Sequence, residues 1–317
     1  MHLEPISNQD VGRSVKCRTA IARTMALPAW MELMRLKNIA LAVPTVFIGA
    51  WIAAPHGMNA DILIATVMLA TAVATFMGAG NTINDIKDYT NDCVNHPERV
   101  LPSERMSVTQ AKRFVIFSII SSFAMVLTYS MMFYSENTSL PWATIIIWTC
   151  AGILTYTYEA GLSTKDRGFI GNLAISLMVG LVIIFGATAT NNHLDPLVLC
   201  VALTAMMINL AREILKDCED MSGDEGRDTL PMRIGLENAR MVGYVISLAG
   251  LIVASVPYYL ELGPLRIGLI IFQIPTLLNL ITLNGVIHGG DDHRAQKRLR
   301  VAMATGMVGF VLSVAIA

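Results

Sequence analysis

The sequence predicts an all-α, polytopic membrane protein of about nine transmembrane helices. Three observations carry that expectation: 54% of the 317 residues are hydrophobic and only 15% charged; long apolar stretches recur along the chain; and the charges fall in blocks between them. An ordinary soluble domain carries roughly 25% charged residues. The formal net charge of −1 excludes a strongly basic nucleic-acid binder and an acidic disordered chain. Five cysteines, Cys17, Cys93, Cys150, Cys200 and Cys218, have no CxxC or CxxH spacing and are read as packing thiols rather than a disulfide framework or a zinc site.

Crossing a hydrocarbon core of about 30 Å takes about 20 helical residues. Stretches of that kind run approximately over 38–54, 61–83, 114–133, 141–157, 169–190, 195–215, 241–260, 265–288 and 300–317. The first and last are short, and tilt or local bilayer thinning accommodates them. Residues 1–37 lack the short apolar core and small-residue cleavage site of a signal peptide. They are expected to form a polar arm at the membrane surface, with 38–317 as the transmembrane domain.

Lys and Arg near span ends are retained on the cytoplasmic side. The arm and the connections after the second, fourth, sixth and eighth spans hold 22 of the 23 Lys and Arg, leaving Arg266. This predicts a cytoplasmic amino terminus, an outer carboxyl terminus, and cytoplasmic loops at 84–113 and 212–240.

Both of those loops carry the spacing DxxDxxxD. The first, at the end of span two, has Asp85, Asp88 and Asp92, followed by Leu101 and Pro102; the second, at the end of span six, has Asp217, Asp220 and Asp224, followed by Leu230 and Pro231. Recurrence four spans apart suggests an internal duplication or two half-sites that face each other. On a helix, Asn84, Asp85, Asp88 and Asp92 span an arc of about 100°, and Glu213, Asp217, Asp220 and Asp224 one of about 60°. Two carboxylates about 4 Å apart repel by about 4 kcal/mol at an effective dielectric of 20, so such faces need counter-cations. Oxygen-only ligands point to a hard ion such as Mg²⁺, which completes its shell with water and substrate phosphates. A diphosphate is therefore the natural third party.

At these residues the chain resembles the UbiA superfamily of intramembrane prenyltransferases. The NDxxDxxxD pattern stands as Asn84, Asp85, Asp88 and Asp92, the second DxxxD as Asp220 and Asp224, and the NxPxRxxPS continuation as Asn95, Pro97, Arg99, Pro102 and Ser103. MRLKN at Met34 to Asn38, TYTYEAGLSTKDRGFIGN after the fourth span, and Gly171 with Asn172 extend the likeness. Glu104 stands where members usually have glycine. REILKDCEDMSGD followed by TLP is most similar to the archaeal digeranylgeranylglyceryl phosphate synthase branch. That resemblance implies transfer of a geranylgeranyl group from its diphosphate to the hydroxyl of geranylgeranylglyceryl phosphate, a lipid-phosphate acceptor. Prenylation of an aromatic quinone precursor or a tetrapyrrole is the alternative within the family.

An allylic diphosphate ionises when charge on its leaving group is neutralised. The expectation is two Mg²⁺ ions, one held by Asn84, Asp88 and Asp92 and the other by Asp217, Asp220 and Asp224, with Asp85 shared between them or supporting from behind. The carbocation needs an apolar, water-poor chamber, which the spans supply. Cationic contacts to phosphate are expected from Arg35, Lys37, Arg99, Arg105, Lys165, Arg212 and Lys216, with Asn38 in the same MRLKN stretch. Tyr156 and Tyr158 are candidates for diphosphate or cation–π contact, against a role as interfacial anchors. His288 and His293 in HGGDDH are read as a solvated turn, and the 19 methionines as packing groups.

Two other classes fit less well. Acids of a cation transporter belong near the bilayer middle on broken helices, whereas these sit at span ends beside basic residues. A CDP-alcohol phosphotransferase needs a DGxxAR element, which the sequence lacks.

Overall fold

The computed structural model describes residues 27–54, 56–133, 140–159, 168–190, 192–221 and 228–317. Among the described residues it contains helices and no strand. Seven helical segments are long and apolar enough to cross a membrane: α3 (Ala60–Lys87), α5 (Val108–Met132), α7 (Phe169–Ala187), α8 (Pro196–Asp220), α10 (Leu236–Tyr259), a 3-10 segment (Ile267–Gln273) continuing into α11 (Ile274–His288), and α12 (Asp292–Ile316). The protein is an integral membrane protein. α2 (Leu36–Ile52) is apolar but shorter, and α6 (Leu140–Glu159) lies over the fourth predicted span. Three short helices complete the set: α1 (Ala29–Leu33), α4 (Tyr89–Asn95) and α9 (Leu230–Ile234).

Local sequence sets the helix starts. Asn59 accepts from the Ile62 amide (2.8 Å) ahead of α3, and Ser107 and Gln110 form a reciprocal capping box on α5. Asp195 precedes Pro196 at the first position of α8 and accepts from the Leu197 amide. Asp291 accepts from the Arg294 amide (2.9 Å) to start α12.

α8 is the most enclosed of these helices and packs on α7, α10 and α12. α2 and α7 meet backbone to backbone: a Cβ added to Gly49 would lie 2.0 Å from the Ile183 carbonyl oxygen, and one added to Gly186 would lie 2.1 Å from that of Val46. Small residues bring membrane helices this close. Asn192 donates to the Ala53 carbonyl (3.0 Å), so the carboxyl ends of α2 and α7 lie at one face of the bundle. Their amino ends, with the carboxyl ends of α3 and α8, lie at the other.

The segment expected as part of a polar arm is partly structured. Leu33 of α1 is buried with Val100, Leu101 and Ala111, and Asn81 donates to the Met34 carbonyl (2.8 Å); residues 1–26 lie outside the described residues. Cys150, Cys200 and Cys218 are free thiols as expected. Cys93 departs from that expectation, being disulfide-bonded.

Candidate active site

The first acidic motif spans a break in the helix. α3 ends and α4 begins at Asp88, but backbone bonds from Asp88 N to Asn84 O (2.9 Å) and from Asp92 N to Asp88 O (2.8 Å) keep the four-residue register. The expected single helical face is thus carried by two helices with its spacing kept. Asp85 and Asp92 are buried, and each meets an arginine. The Arg35 guanidinium bonds Asp85, and Arg99 Nη1 lies 2.7 Å from both Asp92 oxygens. Asn84 and Asp88 are half-buried beside them.

Local backbone fixes both arginines. Arg35 sits between α1 and α2 at φ 52°, in the left-handed region, where a non-glycine residue stores strain that persists only if its surroundings enforce it. Here they do, through the Asn81 bond to the preceding carbonyl and the packing of Met34 over Gly78. Arg99 is held by its loop: Ser103 Oγ donates to the Arg99 carbonyl (2.6 Å), while Val100 and Leu101 are buried.

The second motif starts inside α8, which ends at Asp220. Asp217 Oδ2 accepts from Asn172 Nδ2 of α7 (2.7 Å). Behind it runs a buried polar chain: Ser176 Oγ donates to the Asn172 carbonyl (2.6 Å), Asn209 Nδ2 donates to Ser176 Oγ (3.2 Å), Arg212 Nε donates to Asn209 Oδ1 (3.3 Å), and Arg212 bonds the buried Glu213. Ser176 and Asn209 escaped the sequence reading. Their signal is four-residue spacing, Asn172 to Ser176 and Asn209 to Glu213, in otherwise apolar helices. Asp220 is exposed at the helix end, and Asp224 lies outside the described residues.

Arg35 opens α2 and Asn172 lies in the first turn of α7, so both motifs occupy the same end of the bundle. Lys37, Asn38 and Lys216 are exposed there. Arg105 turns to Glu32 (2.6 Å), Tyr158 is half-buried, and Tyr156 is 64% exposed on the outer surface of α6. Lys165 lies outside the described residues. Beyond the second motif, Arg233 bonds both oxygens of the exposed Asp228 (2.7 and 2.5 Å) and holds its carboxyl below the usual range. A Cβ at Gly168, where φ is +55°, would lie 2.4 Å from the Asp228 carbonyl oxygen, so only glycine lets the start of α7 meet this segment.

HGGDDH is largely the solvated turn expected, with His293 exposed, and one residue departs from it. His288 closes α11 and Gly289 to Asp291 are exposed, but Asp292 is buried against Arg240, with bonds of 2.8 and 2.6 Å. Hydropathy marks a run of polar residues without showing which one finds a buried partner.

Among the described residues no group of three His, Cys, Asp or Glu side chains is close enough together to hold a metal ion. The donors offered by the two motifs, Asn84, Asp88, Asp217 and Asp220, are all oxygen, which fits a hard divalent cation.

This bundle, with paired polar motifs at one end, matches the family model described as the UbiA prenyltransferase family over residues 42–312. The chain belongs to that family. As a UbiA prenyltransferase it is 29% identical over 300 residues to the digeranylgeranylglyceryl phosphate synthase of Methanosarcina mazei, covering 90% of this chain and 98% of that protein. A solved structure of a digeranylgeranylglyceryl phosphate synthase superposes with a TM-score of 0.70 at 25% identity, over 91% of this chain and 98% of that one. A UbiA homologue from Archaeoglobus fulgidus bound to GPP and Mg²⁺ shares the fold, with a TM-score of 0.66 at 16% identity over 90% and 99% of the two chains.

Proposed function

We propose that this UbiA prenyltransferase transfers a geranylgeranyl group from its diphosphate to the free hydroxyl of geranylgeranylglyceryl phosphate, with Mg²⁺ at the two acidic motifs. The observation that carries the reading is the placement of both motifs, the first with Arg35 and Arg99 and the second with Asn172, at one end of a bundle similar along nearly its whole length to digeranylgeranylglyceryl phosphate synthases. The Archaeoglobus homologue binds GPP and Mg²⁺ on the same fold, which supports a metal and a prenyl diphosphate here.

On this reading Asn84, Asp88 and Asp92 hold one ion and Asp217, Asp220 and Asp224 the other, with Asp85 beside them. The metal supplies charge neutralisation of the leaving diphosphate. Arg35, Arg99, Lys37 and Lys216 add fixed or mobile positive charge for phosphate oxygens, with Asn38, Arg105, Lys165, Tyr156 and Tyr158 as further substrate contacts. The apolar interior keeps water from the allylic cation. Nine crossings, a cytoplasmic active-site end and amino terminus, an outer carboxyl terminus, and division into an arm (1–37) and a transmembrane domain (38–317) complete the proposal.

A phosphate-bearing acceptor needs cations beyond those that hold the donor, and this end of the bundle supplies them. Purified protein given Mg²⁺ and labelled geranylgeranyl diphosphate should prenylate geranylgeranylglyceryl phosphate far faster than 4-hydroxybenzoate. The reverse preference would leave family membership intact and remove the lipid-synthase reading.

A further inference from the structure

The polar residues at the start of α12 are not used by the chemistry above, yet they close on the helix that carries the second motif. Glu219 lies between Asp217 and Asp220 in sequence, but at 100° per residue it points about 160° around α8 from Asp217. There His293 Nδ1 lies 3.0 Å from Glu219 Oε1, and Gln296 Nε2 donates to Oε2. Gln296 is 3% exposed, whereas Glu219 and His293 are exposed, so the contact sits at the edge of the packed interior with Gln296 as its buried side. The first turn of α12 is itself anchored: Asp292 takes two bonds from Arg240 of α10, whose Nη1 also bonds Glu237 (2.7 Å). Ala295 and Leu299 pack in one apolar cluster with Leu215 of α8.

We propose that Glu219 is a positioning residue for the second acidic motif, clasped by His293 and Gln296 so that the last turn of α8 presents Asp217 and Asp220 in a fixed geometry. Helix ends fray, and the last turn is where α8 leaves its ladder of backbone bonds. A ligand set must be held within about 0.5 Å of its working geometry to bind well. Asn172 holds this turn from the α7 side through Asp217; the clasp holds it from the α12 side. The inference rests on the reading of Asp217 and Asp220 as metal ligands.

The test compares full-length wild type with Glu219→Ala and Glu219→Gln by two readouts: Mn²⁺ titration of the unreacted protein by electron paramagnetic resonance, and the Mg²⁺ concentration giving half-maximal turnover. Glu219→Ala should weaken both at least fivefold while leaving turnover at saturating Mg²⁺ within twofold. Glu219→Gln should restore most of the loss, because a carboxamide oxygen still accepts from Gln296. Gln296→Met, which removes the donor from the other side, should reproduce the alanine effect and serves in its place should Glu219→Ala not fold. Unchanged Mn²⁺ binding in Glu219→Ala or Gln296→Met overturns the proposal, as does a Gln variant as impaired as the alanine. Wild type that binds no Mn²⁺ would instead defeat the metal reading itself.

Discussion

Single residues show how charge is managed here. Asp85 and Asp92 are buried acids, each facing an arginine from a separate segment. The need for positive charge at the acidic faces follows from their spacing and Coulomb's law alone; that Arg35 and Arg99, expected at phosphate, stand against Asp85 and Asp92 depends on the turn at Arg35 and the loop around Arg99. At the opposite end of the bundle His193 is buried, and its Nδ1 has no hydrogen-bond partner. Burial holds its pKa below the ordinary 6.5. A depressed histidine pKa means that the unfolded chain takes up the proton first, so the stability tied to the neutral ring is present above pH 6.5 and is lost as pH falls toward the folded value. Thermal midpoints measured from pH 7.5 to 5 should fall more for wild type than for His193→Gln. Parallel curves would show that this ring does not titrate with unfolding.

Among elements, the helices outrun the hydropathy that revealed them. α5 starts at Val108 against a predicted 114, and α12 at Asp292 against 300, because apolar run length measures the membrane while a helix continues through Lys112, Arg113 or Arg294 at no great cost. For the same reason α8 runs on through Asp217 to Asp220, past the predicted end of span six at about 215. The break at Asp88 had no sequence mark, since no glycine or proline stands there. Contacts between helices were also illegible: nothing in the sequence pairs Gly49 with Ile183 or Gly186 with Val46. With Cβ distances of 2.0 and 2.1 Å to partner backbone at these two positions, Gly186→Ala should force α2 and α7 apart. Overpacking of this kind costs about 1–3 kcal/mol, and should appear as a lower thermal midpoint in detergent with Gly49→Ala behaving alike. Midpoints equal to wild type would contradict the close crossing.

For the whole molecule, fold class and both acidic motifs could be read from the sequence, because apolar run length and motif spacing are local quantities. That the motifs share one end of the bundle follows from alternating spans and agrees with the Asn192 to Ala53 bond at the far end. Sidedness is tested separately. In a cysteine-free background, cysteines replacing the exposed Glu98 and Asp291 should react with an impermeant thiol reagent only from the cytoplasmic side, and those replacing the exposed His56 and Glu261 only from outside; the opposite pattern would reverse the orientation. The central claim is that two acidic motifs act on one diphosphate. Its most direct test is Mg²⁺-dependent transfer of a labelled geranylgeranyl group by purified, folded wild type, Asp88→Ala and Asp220→Ala, each substitution removing a ligand from a different motif. Turnover should drop by orders of magnitude in both variants and vanish with EDTA in wild type, returning with Mg²⁺; near-wild-type turnover in either variant would contradict the account.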